Sequence, residues 1–228
     1  MEAIVLAGGF GTRLKSVVAD VPKPMAPING RPFLEILLET LVNKGFTRAV
    51  LSVGYLADLI VAHFGSNFNG LALEYEIEET PLGTGGAIMR AMKHCRLDHV
   101  FVFNGDTFLD LEVSIVEECW IRDKKPIIVA REVPDSSRYG GLDVVDGQVV
   151  GFFEKGKVGP GLINAGCYVF PPDLFKNSSL PVPFSVENDF LAPTVLVQPV
   201  DCFVSRGHFV DIGIPEDYAR AAIELCRR

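Results

Sequence analysis

The chain has 228 residues, 48% of them apolar and 22% charged, with a formal net charge of −8 at pH 7. That length supports one domain with a large core, and no apolar run approaches membrane-spanning length. The negative balance argues against a nucleic-acid scaffold, so any phosphate site has to be built locally from a few cations, backbone dipoles and a metal ion.

Residues 3–6 read as a first strand. They lead into Leu6-Ala7-Gly8-Gly9-Phe10-Gly11-Thr12-Arg13-Leu14, a turn whose bare backbone lets N–H groups approach phosphate closely. Arg13 adds a planar cationic fork suited to phosphate oxygens. The turn is not a P-loop, which ends in Gly-Lys-Ser/Thr. Nor is it a dinucleotide fingerprint, which needs glycine where Leu14 stands. Lys23 follows between Pro22 and Pro24, on a segment the two prolines stiffen. Residues 33–42 read as a helix ended by Gly45, and 49–53 as a buried strand. Residues 56–64 read as a second helix closed by Gly65, and 71–77 as an alternating strand. Thr84 is expected to cap a third helix reaching about Cys95, with Gly83, Gly85 and Gly86 offering flat backbone to a base or ribose. Residues 100–103 form the next strand. Repeated strand–helix–strand units imply a parallel, doubly wound α/β sheet. Residues 126–131, 142–146, 148–154 and 165–170 then read as short strands, with Asp146-Gly147 the clearest hairpin turn. They suggest a smaller antiparallel lobe laid against the first sheet. A strand at 200–204 and a terminal helix from Pro215 follow.

Met1-Glu2-Ala3-Ile4-Val5 lacks the basic lead of a signal peptide. The five cysteines, at 95, 119, 167, 202 and 226, form no Cys-x-x-Cys pair. Both features point to a cytoplasmic protein with reduced thiols, and Cys95, Cys167 and Cys202 read as core packing residues.

Ligands of open parallel sheets sit beyond the carboxyl ends of the strands. Asp106, in Asn104-Gly105-Asp106, falls there. Asp211, in Phe209-Val210-Asp211-Ile212-Gly213, also follows an apolar pair and precedes a glycine. Mg2+ takes one or two carboxylates plus phosphate oxygens, so the two aspartates could converge on one ion; each could equally be a turn or cap residue. Lys155, after Glu154, could hold a second phosphate or, with Lys157, mark a solvated turn. Histidines 63, 94, 99 and 208 form no spaced pair. No Ser/His/Asp or Cys/His pattern supports nucleophilic catalysis by a side chain.

Together, residues 6–14 and Val21-Pro22-Lys23-Pro24-Met25 resemble the signature of sugar-1-phosphate nucleotidylyltransferases. Asn104-Gly105-Asp106, Glu154-Lys155, Asn164-Ala165-Gly166 and Asp211-Ile212-Gly213 follow in that family's order, so the resemblance spans nearly the whole chain. Pro24-Met25-Ala26-Pro27-Ile28, Ser52-Val53-Gly54-Tyr55, Pro81-Leu82-Gly83-Thr84-Gly85-Gly86-Ala87 and residues 211–218 most resemble its D-glycero-D-manno-heptose 1-phosphate guanylyltransferase branch. The resemblance implies a Rossmann-like doubly wound mixed sheet flanked by helices, with a smaller antiparallel sugar-binding lobe. It divides one domain, 1–228, into a nucleotide half to about residue 110 and a sugar-phosphate half beyond.

It also implies the chemistry. A sugar 1-phosphate, by branch D-glycero-α-D-manno-heptose 1-phosphate, attacks the α-phosphorus of a nucleoside triphosphate, by branch GTP, and pyrophosphate leaves. Arg13 would steady the pyrophosphate and Lys23 the α-phosphate, while Asp106 and Asp211 hold Mg2+; Arg13, Lys23 and Asp106 are the expected catalytic residues. Nucleotide binding would fall to Leu6, Ala7, Gly8, Gly9, Gly11 and Thr12 of the turn and to Val53, Gly54 and Tyr55 near the base. Glu79, Pro81, Gly83, Thr84 and Gly105 would join them. Gly141, Glu154, Lys155, Asn164 and Gly166 would meet the sugar phosphate. Ile214 replaces a threonine that many relatives use as a helix cap, and Gly156 a proline. No long C-terminal β-helix follows, which argues against a second acyltransferase activity. Relatives often associate, so a homo-oligomer is open; no nucleic-acid or membrane partner is expected. Base and sugar rest on resemblance alone. A mannose- or glucose-1-phosphate nucleotidylyltransferase using another triphosphate, and a non-catalytic nucleotide-sugar sensor, stand as alternatives.

Overall fold

The structure, a computed structural model, describes residues 1–9, 11, 14, 18, 21–153, 156 and 158–225. Of the residues singled out above, Phe10, Thr12, Arg13, Glu154, Lys155, Lys157 and Cys226 lie outside that set. In chain order, strand β1 (Glu2–Ala7) is followed by a 3-10 turn at Lys23–Met25 and the hairpin β2 (Pro27–Ile28) and β3 (Arg31–Pro32). Next come α1 (Phe33–Asn43), β4 (Arg48–Val53), α2 (Ala57–Phe64), β5 (Asn67–Phe68), β6 (Leu71–Ile77) and α3 (Gly83–Ala91). The chain continues through β7 (Val100–Asn104), β8 (Thr107–Leu109), α4 (Val113–Asp123), β9 (Ile127–Val133), β10 (Gly141–Val145), β11 (Gln148–Phe153) and β12 (Gly161–Phe170). A π-helical turn at Val186–Leu191 and α5 (Ala192–Thr194) lead to β13 (Asp201–Ser205), β14 (Phe209–Asp211) and α6 (Pro215–Glu224).

Among the described residues, ten strands form one sheet in the order β10-β11-β13-β9-β12-β7-β1-β4-β6-β5. Strands β7, β1, β4 and β6 are parallel. Strand β12 runs antiparallel to both β7 and β9, with Cys167 facing Phe103 and Phe170 facing Val100. The second half is therefore antiparallel-rich, as expected, but it extends the first sheet edge to edge and is not laid against it. The reason lies in β12, buried from Ala165 to Phe170. A strand so enclosed has to pair along both edges to satisfy its backbone.

The sheet is covered on both faces, which is why its inner strands read as unbroken apolar runs. Along β1, Ala3, Val5 and Ala7 join Leu34 and Leu38 of α1, Ile60 of α2, and Val116 and Trp120 of α4 in one core layer. Ile4 points the other way, into a second layer with Ile88 of α3, Tyr168, Phe170 and Leu191. Fully buried Phe101 and Phe170 each contribute roughly 1.5–3 kcal/mol by leaving water. A third cluster, with Phe33, Phe108, Val210, Ile212 and Ala221, seats the β8–β14 pair against α6.

Three local expectations change. Thr84 does not cap α3: Leu82 occupies the cap position and the helix begins at Gly83. The Thr84 hydroxyl is engaged instead by Glu187 and the Val186 N–H. Helix α3 ends at Ala91 and passes into a 3-10 turn at Met92–His94, short of Cys95. Cys167 is buried, but Cys95 and Cys202 are only half-buried, packed against the second layer. Asp146 and Gly147, at φ +50° and +76°, form the expected hairpin turn with both central residues left-handed.

Candidate active site

A cavity of about 300 Å3 opens where β1, β6 and β7 present their carboxyl ends, walled by the 8–9 turn, Lys23, Glu78, the start of α3, Asn104 and Asp106. Two glycines make this edge possible by close approach. A β-carbon on Gly8 would strike the Glu78 carboxylate. One on Gly105 would strike the Leu6 carbonyl, which already accepts the Gly105 N–H at 2.9 Å.

The 3-10 turn carries Lys23 to the cavity wall, and Gly11, at φ +58°, passes directly beneath its β-carbon. Lys23 Nζ donates to Asp106 Oδ2 at 2.5 Å. The lysine side chain is 12% exposed and that of Asp106 38%, so the cation sits in the wall while the carboxylate stays reachable. The β14–β8 ladder sets Asp211 opposite Thr107, and the Ile212 N–H donates to the Asp106 carbonyl at 3.0 Å. The two aspartates predicted to converge thus lie on neighbouring paired strand ends. Burial raises the Asp211 carboxyl above its ordinary value, and the charge of Asp106 adds to this; Lys23 and the Gly213 N–H oppose it. Two oxygen-donor groups whose charges repel suit a hard divalent cation, and Mg2+ needs no more from a protein when phosphate oxygens supply further ligands. Asp106 and Asp211 therefore fit Mg2+. Among the described residues, no group of three or more His, Cys, Asp and Glu side chains offers an all-protein metal site.

Leu6, Ala7, Gly8, Gly9, Lys23, Pro81, Gly83, Thr84 and Asp106 all line this one cavity. Gly54, Tyr55 and Glu79 line an adjoining concavity of about 160 Å3 that shares Gly8, Glu78 and Pro81 with it. Val53 is fully buried in the core; its carbonyl accepts the Glu78 N–H at 2.7 Å. Gly83, Gly85 and Gly86 have a packing origin: β-carbons there would meet the backbone of Phe184, its ring, and Leu82 with Val182. Gly141 lies apart, in a small cleft with Ser136, Tyr139 and Phe153. Asn164 and Gly166 occupy a bulge in β12. Gly166, at φ +67°, lets that bulge press on the side chain of Asn104, which does line the cavity.

Sequence reasoning settled on Glu79 and missed Glu78. Glu78 Oε1 accepts the Ser52 hydroxyl at 2.9 Å and Oε2 the Leu82 N–H at 3.2 Å, leaving the carboxylate oriented on the cavity wall. The available signal was position: Glu78 is the first residue past the end of β6.

The nucleotidyl transferase family model matches residues 2–228. The chain is 40% identical over 226 residues to the D-glycero-alpha-D-manno-heptose 1-phosphate guanylyltransferase of Aneurinibacillus thermoaerophilus, covering 99% of this chain and 98% of that one. A protein of the same name from Campylobacter jejuni is 40% identical over 219 residues, 96% of this chain and 97% of its own. The crystal structure of HddC from Yersinia pseudotuberculosis complexed with GMP-PN superposes with a TM-score of 0.88 at 40% identity, over 98% of this chain and 99% of that one. A UDP-glucose pyrophosphorylase from acinetobacter baumanii shares the fold at 19% identity and a TM-score of 0.80, over 97% of this chain and 92% of that one. Matched by the family model and by these relatives along nearly its entire length, the chain belongs to the nucleotidyl transferase family.

Proposed function

We propose that this chain is a sugar-1-phosphate guanylyltransferase that joins D-glycero-α-D-manno-heptose 1-phosphate to GTP and releases pyrophosphate. One observation carries the reading: the Lys23–Asp106 pair beside Asp211 at a glycine-lined cavity, in a chain 40% identical over almost its full length to two guanylyltransferases of that name.

In the proposed reaction, a phosphate oxygen of the sugar 1-phosphate attacks the α-phosphorus of GTP in line. A new P–O bond forms, the bond to the β-phosphate bridge breaks, and its electron pair leaves on pyrophosphate. The substrate brings its own nucleophile. The protein's task is to align two anions and offset the charge that develops. Lys23, nearly enclosed in the cavity wall, would trade Asp106 for the α-phosphate, where a low local dielectric strengthens the contact. Asp106 and Asp211 would hold Mg2+, which supplies Lewis-acid neutralisation of phosphate oxygens when bound. Arg13 would steady the pyrophosphate. We assign residues to about 110 to the nucleotide and the remainder, with Gly141, Glu154, Lys155, Asn164 and Gly166, to the sugar phosphate. The four described cysteines are free thiols, as suits the reducing cytoplasm.

Glu78 would read the base. Guanine presents N1–H and N2–H side by side, two donors that match the two oxygens of one carboxylate. Ser52 and the Leu82 N–H each take one lone pair and hold the fork still. Adenine offers no such pair of donors.

The test is pyrophosphate release from four nucleoside triphosphates against heptose, mannose and glucose 1-phosphates, with Mg2+ and with chelator. GTP and the heptose 1-phosphate should be the fastest pair, chelator should stop it, and Glu78→Gln should erode the preference for GTP by roughly tenfold or more. A different leading sugar would reassign the substrate. Silence across the panel, with GMP-PN still bound, would make the chain a nucleotide sensor.

A further inference from the structure

Behind the cavity runs a chain of hydrogen bonds whose direction is fixed at both ends. The Gly166 N–H donates to Asn164 Oδ1 at 3.0 Å, and an amide nitrogen can only donate. Asn164 Nδ2 donates to Tyr168 Oη at 2.7 Å, and Tyr168 donates to Glu187 Oε1 at 2.8 Å, where a carboxylate can only accept. Tyr168 is fully buried and stacked on Phe170, with ring centroids 5.2 Å apart, so its hydroxyl has no freedom to seek water. Glu187 Oε2 accepts the hydroxyls of Thr84 at 3.1 Å and Ser185 at 3.0 Å. Thr84 lines the cavity and in turn accepts the Val186 N–H at 2.9 Å. One carboxylate on the π-helical turn thereby touches the start of α3 directly and the β12 bulge through a single tyrosine.

The polarity matters more than the count of bonds. Were Glu187 an amide, its NH2 could face Tyr168, the tyrosine would then donate to Asn164, and the Asn164 amide would have to turn over. A turned Asn164 would point its NH2 at the Gly166 N–H, donor against donor. The carboxylate forbids that alternative.

We propose that Glu187 is a positioning residue: through Tyr168 it sets which face of the Asn164 amide is presented in the β12 bulge behind Asn104, and through Thr84 it fixes one wall of the cavity that Asn104 also lines. Its kinetic consequence rests on the guanylyltransferase reading, in which Asn164 meets the sugar. Its structural consequence does not.

The test uses 15N-labelled full-length protein. The side-chain NH2 signals of Asn164 are compared among wild type, Tyr168→Phe, Glu187→Gln and Ser185→Ala, with thermal unfolding recorded for each. The first two variants should move the Asn164 signals alike. Ser185→Ala, which removes a Glu187 partner outside the relay, should leave them in place even if it lowers the melting temperature. In parallel, KM is measured with the substrate pair that wild type turns over best. Tyr168→Phe should raise KM for the sugar 1-phosphate roughly three- to tenfold, the loss expected for one hydrogen bond, and leave KM for the triphosphate near wild type. Glu187→Gln should raise both. Tyr168→Phe/Glu187→Gln should show the sugar effect once, because both changes cut the same relay. Unmoved Asn164 signals in a folded Glu187→Gln protein would overturn the proposal whatever the activity panel gives. So would sugar effects that multiply in the double variant, or an equal sugar effect from Ser185→Ala. Signals that move in a protein inactive throughout the panel would uphold the positioning and sink the guanylyltransferase reading instead.

Discussion

The two ends of strand β1 both gather charge and use it in opposite ways. At the amino end Glu2, 5% exposed, accepts from Arg48 at 3.0 Å and from the Arg96 and Leu97 N–H groups at 2.8 and 3.0 Å. Arg48 also meets Glu74 at 2.6 Å and the His94 carbonyl. Burial pushes the Glu2 carboxyl up, but these donors outweigh it and hold it below its ordinary value. At the carboxyl end, burial and the charge of Asp106 push Asp211 up, and Lys23 with the Gly213 N–H does not offset them. A charge cluster answered from within the chain is architecture. One left out of balance is capacity to bind something else.

Breaking the comparison starts at the carboxyl end, where Asp106→Asn should give the largest effect. Turnover should fall on the order of 10²- to 10³-fold, as for loss of a metal-binding charge, while the melting temperature stays within about 2 °C. Near-normal turnover would erase the distinction between the two ends. Lys23→Ala should follow with a loss in kcat of roughly ten- to a hundredfold and a smaller change in KM for the triphosphate, the signature of a contact that tightens in the transition state. The amino end should do the reverse. Glu2→Gln should leave kcat/KM unchanged but cost about 2 kcal/mol by leaving Arg48 under-paired, a drop of roughly 4–8 °C in Tm. Because the folded pKa of Glu2 is lowered, its contribution is complete above the ordinary carboxyl value near 4.5. It is lost as pH falls through the folded value, so wild type and variant should converge in acid. Asp211→Asn sharpens the contrast with a stability change opposite in sign to that of Glu2→Gln. A raised folded pKa contributes stability below the ordinary value of 3.8 that is lost as pH rises through the folded value. The neutral variant should therefore melt higher than wild type at pH 7 while losing turnover as Asp106→Asn does. A Tm that falls instead would mean Asp211 is held for architecture.

The parallel half was the more legible because its signals are local. The run Ala3-Ile4-Val5-Leu6, the alternation ending at Ile77 and Pro215 at the first position of α6 each carry their own structure in a few neighbouring residues. Helix α4 carries a local pattern too, with Val113, Val116 and Trp120 buried on one face. The strands β8 and β14 are three residues each and exist only because Thr107 and Asp211 meet across a hundred residues, which no short window contains. The same holds for the site. Lys23 and Asp106 could be named from glycine and proline context. Glu78 could be told from Glu79 only by its place directly after the alternation that ends at Ile77, a weaker signal than a glycine or proline context. Tyr168 and Glu187 had no signal at all, since a buried hydroxyl and a carboxylate on a π-helical turn acquire meaning only from their shared hydrogen bond.

Strand β12 is hydrogen-bonded to β7 on one side and β9 on the other, so the two halves of the molecule are cut from a single plate. Rotating one against the other would tear four register pairs from Cys167 to Phe170. Among the described residues, no break in the sheet separates β7 from β12. In the proposed reaction, Lys23 and Asp106, borne on connections above the sheet's rim, would meet their cargo over a plate that serves as a fixed anvil.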